Sequence, residues 1–366
     1  MEARRRDRRR RGAVVTKVLA EALAQRLARL PEETTCYRWL DGELADVTVD
    51  RFGSVAVISR PFIPRGWSTR RTGPHPFTPS EVEGANGIPA TQVRTNDDEV
   101  VIAEALASTP GVESIYVKRR PREARKLANE TPEELAPPRP LIGPAVDSLI
   151  VTELGARFEI RPGNGLSVGL YLDSRDARAW VRANAKGRSV LNTFAYTCGF
   201  GLAARLGGAT RAVNLDTSRK VLDWGEQNLA LNDLSVDRRD FISGDTFDWL
   251  ARFAKKTETF DLVILDPPGF ATTKTSRFTA ERDYHRLVSA AQQVLAPEGL
   301  LLAMCNVEQS SRAFEDQLER GLGGRKAREV TRFGASAVDF RQAALKCHVL
   351  ELGPRSALAA RRTARR

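Results

Sequence analysis

Three acidic residues fall at equivalent places in the C-terminal half of the chain. Asp216, Asp245 and Asp266 each come just after a short strand-like run. The run before those three is followed by Tyr196-Thr197-Cys198-Gly199-Phe200-Gly201. In a doubly wound sheet, ligands bind outside the carboxyl ends of the strands, where the strand order switches. Small residues there let backbone approach a ligand, and a helix beginning there offers free N–H groups. Asp216 is placed to accept from both hydroxyls of a ribose, and Asp245 from an adenine amino group. Each has a plainer alternative. Gly199 and Gly201 serve equally as turn residues. Asp216 and Asp245 serve as helix N-caps, with Ser218 competing for the first of these roles.

The elements around these residues set the fold class. Strand-like runs lie at 189–194, 211–215, 239–243, 262–265 and 300–304, with helical runs including 218–232, 280–295 and 312–318. This alternation predicts an α/β fold with a mostly parallel sheet and helices on both faces. A late strand at 345–352 is expected to pair antiparallel at one edge. Upstream, apolar positions at helical spacing run through 13–30, and Pro31 stops them. The alternating runs 45–50 and 54–59 predict a hairpin, and a second is expected at 149–161, turning at Gly155. The organisation follows: a disordered basic arm (1–12), a small α/β domain (13–118) with a Pro/Gly-rich insertion (61–99), a basic and Pro-rich linker (119–146), a catalytic domain (147–352) and a disordered basic tail (353–366).

Composition narrows the function classes. The net charge is +11, with 47 Arg against 10 Lys. Residues 1–12 and 353–366 carry +5 each, so the body between them is nearly neutral. A further cluster of +5 occupies 118–126, read either as a phosphate-contacting stretch or as a solvated linker. No run of about 18 apolar residues suggests a membrane span. Cys36, Cys198, Cys305 and Cys347 are far apart without a CxxC pair, which fits reduced thiols in a cytoplasm and no structural metal. Neither GxGxxG nor GxxxxGK[ST] is present, which argues against a nicotinamide dehydrogenase and a P-loop NTPase. The remaining common adenosine ligand of such a sheet is S-adenosylmethionine.

The segment 191–200, LNTFAYTCGF, resembles the first motif of a bacterial 23S rRNA methyltransferase family with cytosine-C5 and guanine-N7 members. The likeness extends to 169–176 (GLYLDSRD), 213–218 (VNLDTS), 266–270 (DPPGF) and 282–285 (RDYH), covering about 147–352. Segments 37–43 and 49–53 resemble the small domain that precedes the catalytic one in that family. The resemblance implies a Rossmann-like class I methyltransferase with a seven-stranded sheet, S-adenosylmethionine as cofactor and RNA as partner, either 23S rRNA or a ribosomal precursor. It implies that Asp173 and Arg175 close over the methionine portion of the cofactor. Asn192, Tyr196 and Gly199 would line it, Asp216 would take the ribose and Asp245 the adenine side. Asp266, also counted with the cofactor site, and Phe270 would face the target base. The alternative for Asp173 and Arg175 is a surface ion pair, and for Phe270 a core position. Some members carry an RNA-binding module of the PUA type at the N-terminus, where this chain has its Arg-rich arm.

Two base chemistries separate on one position. Guanine N7 has a lone pair that attacks a sulfonium methyl directly, so positioning suffices. Cytosine C5 requires thiolate addition at C6. Cytosine-type members have a cysteine near the end of the fifth strand. Counted from Glu298-Gly299, Asn306 rather than Cys305 stands there, as in guanine-N7 members. Thr273, Lys274 and Arg282-Asp283 also resemble that branch. Cys305 remains the candidate nucleophile of the cytosine reading; its alternative is a small buried strand residue. A non-catalytic RNA-binding assembly factor is the competing class.

Overall fold

The computed structural model describes residues 2–44, 46–61, 96–120, 131–272, 277–341 and 344–354. Residues 62–95 of the insertion read at 61–99, residues 121–130 across the basic stretch and linker, Thr273 and Lys274, and residues 355–366 of the tail lie outside them. The chain forms two compact units. One is Met1–Leu172 with Val338–Gln342, the other Asp173–Ala337 with Ala343–Arg366. The division thus falls later in the chain than the expected one at 146/147.

In the first unit, helix α1 spans Glu2–Leu27. The arm expected to be disordered is therefore helical from Glu2. Arginine is a good helix former, and the arm extends a helix already nucleated by the apolar run behind it. Strands β1 (Cys36–Leu44), β2 (Val47–Phe52) and β3 (Val55–Pro61) form an antiparallel meander. Helix α2 (Asn96–Ala107) precedes β4 (Ser114–Arg120), which lies parallel to β3. One face of this four-stranded sheet packs α1 and α2 through Leu19, Trp39, Ile58, Ile102, Ile115 and Val117. The Trp39 indole N–H, buried there, donates to the Leu19 carbonyl at 2.9 Å.

The basic stretch at 118–126 begins inside this sheet rather than on a solvated linker. Lys118 is fully buried, and Arg119 donates to both carboxylate oxygens of Glu99 on α2. Helix α3 (Pro132–Leu135) follows, closed by a capping box between Thr131 and Glu134. Strands β5 (Leu149–Glu153) and β6 (Ala156–Ile160) make the expected hairpin. Leu154 and Gly155 both have positive φ, 52° and 77°, as a two-residue type I′ turn requires. This hairpin belongs to the first unit: the Thr35 N–H donates to the Thr152 carbonyl at 2.9 Å.

The second unit is the doubly wound sheet. Its elements are α4 (Arg175–Asn184), β7 (Ser189–Thr193), α5 (Gly199–Leu206), β8 (Arg211–Asp216), α6 (Arg219–Leu231), β9 (Phe241–Ser243), α7 (Thr246–Lys255) and β10 (Phe260–Leu265). A small hairpin, β11 (Phe270–Thr272) and β12 (Arg277–Thr279), precedes α8 (Ala280–Ala291). Then come β13 (Leu295–Cys305), α9 (Ser311–Leu322), β14 (Ala327–Phe333) and β15 (Lys346–Leu352). The strand order is β14-β15-β13-β10-β7-β8-β9. From β13 to β9 the neighbours are parallel; β15 and β14 are antiparallel to theirs. The late strand was expected at the edge. It is instead the second strand, and β14 takes the edge.

Two apolar layers sandwich the sheet. One gathers Leu250, Leu287, Val288 and Phe314 from α7, α8 and α9, the other Ala177, Val181, Phe200 and Ala204 from α4 and α5. The chain leaves β7 towards β8 on one side, while β10 lies on the other. The reversal of strand order therefore falls between β7 and β10. Their carboxyl ends are Thr193 and Leu265, next to two of the segments singled out from sequence.

Candidate active site

The switch point is pinned from inside the sheet. The Thr193 hydroxyl on β7 donates to the Ile264 carbonyl of β10 at 2.7 Å. One residue earlier, the Asn192 side-chain N–H donates to Asn214 Oδ1 on β8 at 2.9 Å. Asn192 Oδ1 is buried and accepts no hydrogen bond among the described residues. A buried amide oxygen without a donor is costly unless a ligand supplies one.

The chain then turns sharply into α5. Phe194, Tyr196 and Cys198 take φ values of 55°, 49° and 61°. Three non-glycine residues in the left-handed region within five positions store backbone strain, which persists only where the surroundings enforce it. The enforcing contacts come from three sides. Asp216 Oδ2 accepts from the Tyr196 N–H at 2.9 Å. Asn228 of α6 donates to the Thr197 carbonyl at 3.0 Å. The Cys198 thiol lies against Gly225 of α6, where a Cβ would come within 2.2 Å of its sulfur. Cys198 is the N-cap of α5, and its side chain makes no capping hydrogen bond. The first-turn N–H groups of α5 thus point out at the switch point without a side-chain cap.

Gly201 is more than a turn residue. A Cβ there would fall 2.0 Å from Asn214 Oδ1, so α5 lies on the Asn192–Asn214 pair only because position 201 has no side chain. Asp216, half-buried, is not the cap of α6, since Ser218 occupies that position. Its Oδ1 accepts from the Ser218 N–H at 2.9 Å. With one backbone donor on each oxygen, the carboxylate keeps acceptor capacity for hydroxyl groups. Asp245 does cap: its Oδ1 accepts from the Phe247 and Asp248 N–H groups of α7 at 2.8 and 3.2 Å.

A cluster of charges stands across the switch point. Burial raises the Asp266 carboxyl to about 7, with Asp173 adding to the rise and Arg178 opposing it. Asp173 lies in the short turn Leu172–Ser174 ahead of α4. Arg175 and Arg178, both on α4, are buried. The surface ion-pair reading of Asp173 and Arg175 is therefore wrong, because Arg175 is 1% exposed. Sequence reasoning missed Arg178. The available signal was its spacing of three from Arg175, which puts both guanidinium groups on one helix face.

After Asp266, Pro267-Pro268 lead to Gly269, where a Cβ would meet Val307 Cγ1 at 2.8 Å. Phe270 follows on β11. It is 41% exposed, with the Arg277 guanidinium 5.4 Å from its ring centroid, so it is not a core residue. Tyr284 is one: its hydroxyl donates to the Leu265 carbonyl at 3.1 Å and its ring meets Phe314 edge-on. Cys305 ends β13 fully buried, and Gln309 Nε2 donates to its sulfur at 3.1 Å. The next residue, Asn306, is exposed. Among the described residues, no cluster of His, Cys, Asp and Glu could hold a metal ion, and no helix is long and apolar enough to cross a membrane.

The profile of the S-adenosylmethionine-dependent methyltransferases matches residues 134–320. The chain belongs to this family. Over 156 residues this methyltransferase is 40% identical to the ribosomal RNA large subunit methyltransferase I of Aeromonas salmonicida, a match covering 43% of this chain and 39% of that protein. It is 39% identical over 156 residues to the large subunit methyltransferase K/L of a Psychrobacter strain, covering 42% of this chain and 19% of that one. The match thus spans about two-fifths or less of the length of these curated relatives. A methyltransferase crystallised with SAH shares the fold at a TM-score of 0.75 and 21% identity, covering 93% of this chain and 81% of that one. The donor set of the methyltransferase suits S-adenosylmethionine. It offers a buried amide oxygen with no partner among the described residues, a strained loop ahead of a helix start without a side-chain cap, and a half-buried carboxylate at the end of β8.

Two outcomes are expected. Gly201→Ala forces a methyl group into the Asn214 amide and should destabilise this unit by about 1–3 kcal/mol in urea titration; an unchanged midpoint would show that the contact yields freely. Asp266 holds its proton to about 7 when folded, against 3.8 in the open chain. The folded state therefore binds the extra proton between roughly 4 and 7, and this group's contribution to stability falls as pH rises through that window. Compared with wild type, Asp266→Asn should gain relative stability from pH 5 to 7.5. A constant difference between the two would mean that Asp266 titrates normally.

Proposed function

We propose that this chain transfers the methyl group of S-adenosylmethionine to a ring nitrogen of a large-subunit ribosomal RNA base, most simply guanine N7. The observation that carries the choice of chemistry is the end of β13. Cys305 is sealed in the core, and the exposed residue at the strand mouth is Asn306. All four cysteines of the chain are buried. A cytosine-C5 reaction needs a thiolate that reaches the base, whereas a ring nitrogen needs only to be held in line.

In this reading Asn192, Tyr196 and Gly199 line the cofactor, and Asp216 accepts from its ribose hydroxyls. Asp245 serves the adenine side through the oxygen that does not cap α7. Asp173 and Arg175 hold the methionine portion, with Arg178 beside them. S-adenosylmethionine supplies an electrophilic methyl group on a sulfonium; the protein supplies position. Phe270 is the platform on which a base drawn out of its RNA stacks, with Arg277 sharing the same ring. Pro267-Pro268 restrict the backbone between that platform and Asp266. Guanine N7 carries no hydrogen, so its methylation leaves a cationic base and releases no proton. The ionised Asp266 is then an electrostatic partner of the developing charge, not a base.

Nucleoside mass spectrometry of rRNA from cells with and without the gene tests the reading. A methylated guanosine that disappears with the gene is the expected result, and a lost 5-methylcytidine would overturn the nitrogen chemistry. Cys305→Ala should keep most of the activity on the same RNA. If it abolishes turnover while S-adenosylmethionine still binds, Cys305 is the nucleophile.

A further inference from the structure

The four-stranded sheet of the first unit has a second face, away from its apolar core. Partner positions of paired strands present their side chains to the same face. Thr48 of β2 is paired with Ser59 of β3, and Ser59 with Lys118 of β4. In the adjacent row lie Asp50, Val57 and Tyr116. None of these six residues joins the apolar cluster formed with α1 and α2.

Two side chains of the first row are buried with no hydrogen-bond partner among the described residues. Lys118 is 0% exposed and Ser59 5%, and neither Lys118 Nζ nor Ser59 Oγ has a hydrogen-bond partner among the described residues. The centroid of the Tyr116 ring lies 5.9 Å from Lys118 Nζ, at the outer limit of a cation–π contact. The Tyr116 hydroxyl is already used by the Val146 backbone. Three carboxylates of this unit are committed elsewhere. Asp50 is held by Arg38, Asp41 by Arg38 and the Arg341 N–H, and Glu99 by Arg60 and Arg119. The other charge felt by Lys118 is Arg120, of the same sign; burial and that neighbour lower the lysine to about 8. A buried ammonium beside a second cation, with an unsatisfied hydroxyl at the paired position, is a costly arrangement that no hydrogen bond among the described residues offsets. A cation and a hydroxyl donor at paired positions match an anion with several acceptor oxygens.

We propose that Lys118 and Ser59, with Arg120 at the margin, form an oxyanion site that takes a phosphate group. The ammonium supplies charge and the hydroxyl a directional donor, and a tetrahedral phosphate can accept from both at once. Free phosphate and the phosphodiester of an RNA chain share this chemistry. The site does not depend on the methyltransferase reading, since it lies in the other unit.

The test uses the full chain. Wild type, Lys118→Met and Ser59→Ala are melted in sodium phosphate and in sodium chloride of equal ionic strength. Phosphate near a hundred times its Kd should raise the wild-type Tm by about 2–4 °C. It should leave Lys118→Met unmoved and give Ser59→Ala a smaller rise. Without phosphate, Lys118→Met should melt at or above wild type, because an apolar chain of similar length replaces an unpaired buried cation. The same variants are then titrated with a single-stranded RNA oligonucleotide over a range of salt. If the phosphate belongs to RNA, Lys118→Met binds several-fold more weakly and its log–log salt slope shrinks by about 0.7, one contact fewer. RNA binding equal to wild type, with the phosphate effect on Tm intact, assigns the site to the free anion. No phosphate-specific rise in wild type, or an equal rise in Lys118→Met, would overturn the site. A lower Tm for Lys118→Met in chloride would make Lys118 a packing residue and overturn it as well.

Discussion

The second unit depends on holding a strained turn open. Between β7 and α5 the backbone adopts the left-handed region at Phe194, Tyr196 and Cys198. Relaxing any of them would swing α5 off the sheet. Asp216 from the next strand, Gly225 and Asn228 from α6, and the Asn192–Asn214 pair beneath α5 hold it in place. The same contacts leave the N–H groups at the start of α5, an amide oxygen and a carboxylate converging on the switch between β7 and β10. Strain of this kind is characteristic of ligand sites, because an unstrained turn would satisfy its own backbone and offer nothing.

Seen from that turn, the two sides of the crevice differ in kind. The side formed by β7, β8 and α6 is a fixed network of hydrogen bonds between neutral groups and one carboxylate. The side formed by Asp266, Asp173 and the α4 arginines is electrostatic, with a carboxyl raised to about 7 by burial and by a like charge. A cationic ligand favours the ionised form of such a carboxyl, so binding and protonation are linked. Phe270, after β10, and Asn306, after β13, are exposed, while Cys305 is fully buried.

Much of this was legible in the sequence, because strand–helix alternation and the residues after each strand are local signals. The strands β8, β9 and β10 lie where their aliphatic runs fall; Asp216 ends the first of them, and Asp245 and Asp266 follow the other two. What escaped was set by long-range packing. Strand β14 is mostly exposed and mixed in charge, so its sequence resembles a surface loop. Its pairing with β15 moved that strand inward from the edge. The hairpin of β11 and β12 has only three residues in each strand, too few for a period to show. Arg178 of α4 was missed for a related reason, since charged helix residues are solvated by default and only the fold buries it. Glycines were ambiguous until neighbours appeared: Asn214 beneath Gly201 turned a turn residue into a packing requirement. The +11 of the chain suggested a basic surface, yet Lys118, within one of its densest clusters, lies in the interior.

Asp216 joins the strained turn to the proposed ribose contact, so it offers the most direct measurement. Calorimetric titration of S-adenosylmethionine into wild type and Asp216→Ala reads both roles at once. Losing hydrogen bonds to a charged group costs roughly 1.5–3 kcal/mol, so affinity should fall at least tenfold. An unchanged Kd in a folded Asp216→Ala protein would contradict the account, leaving Asp216 as a brace for the turn and nothing more.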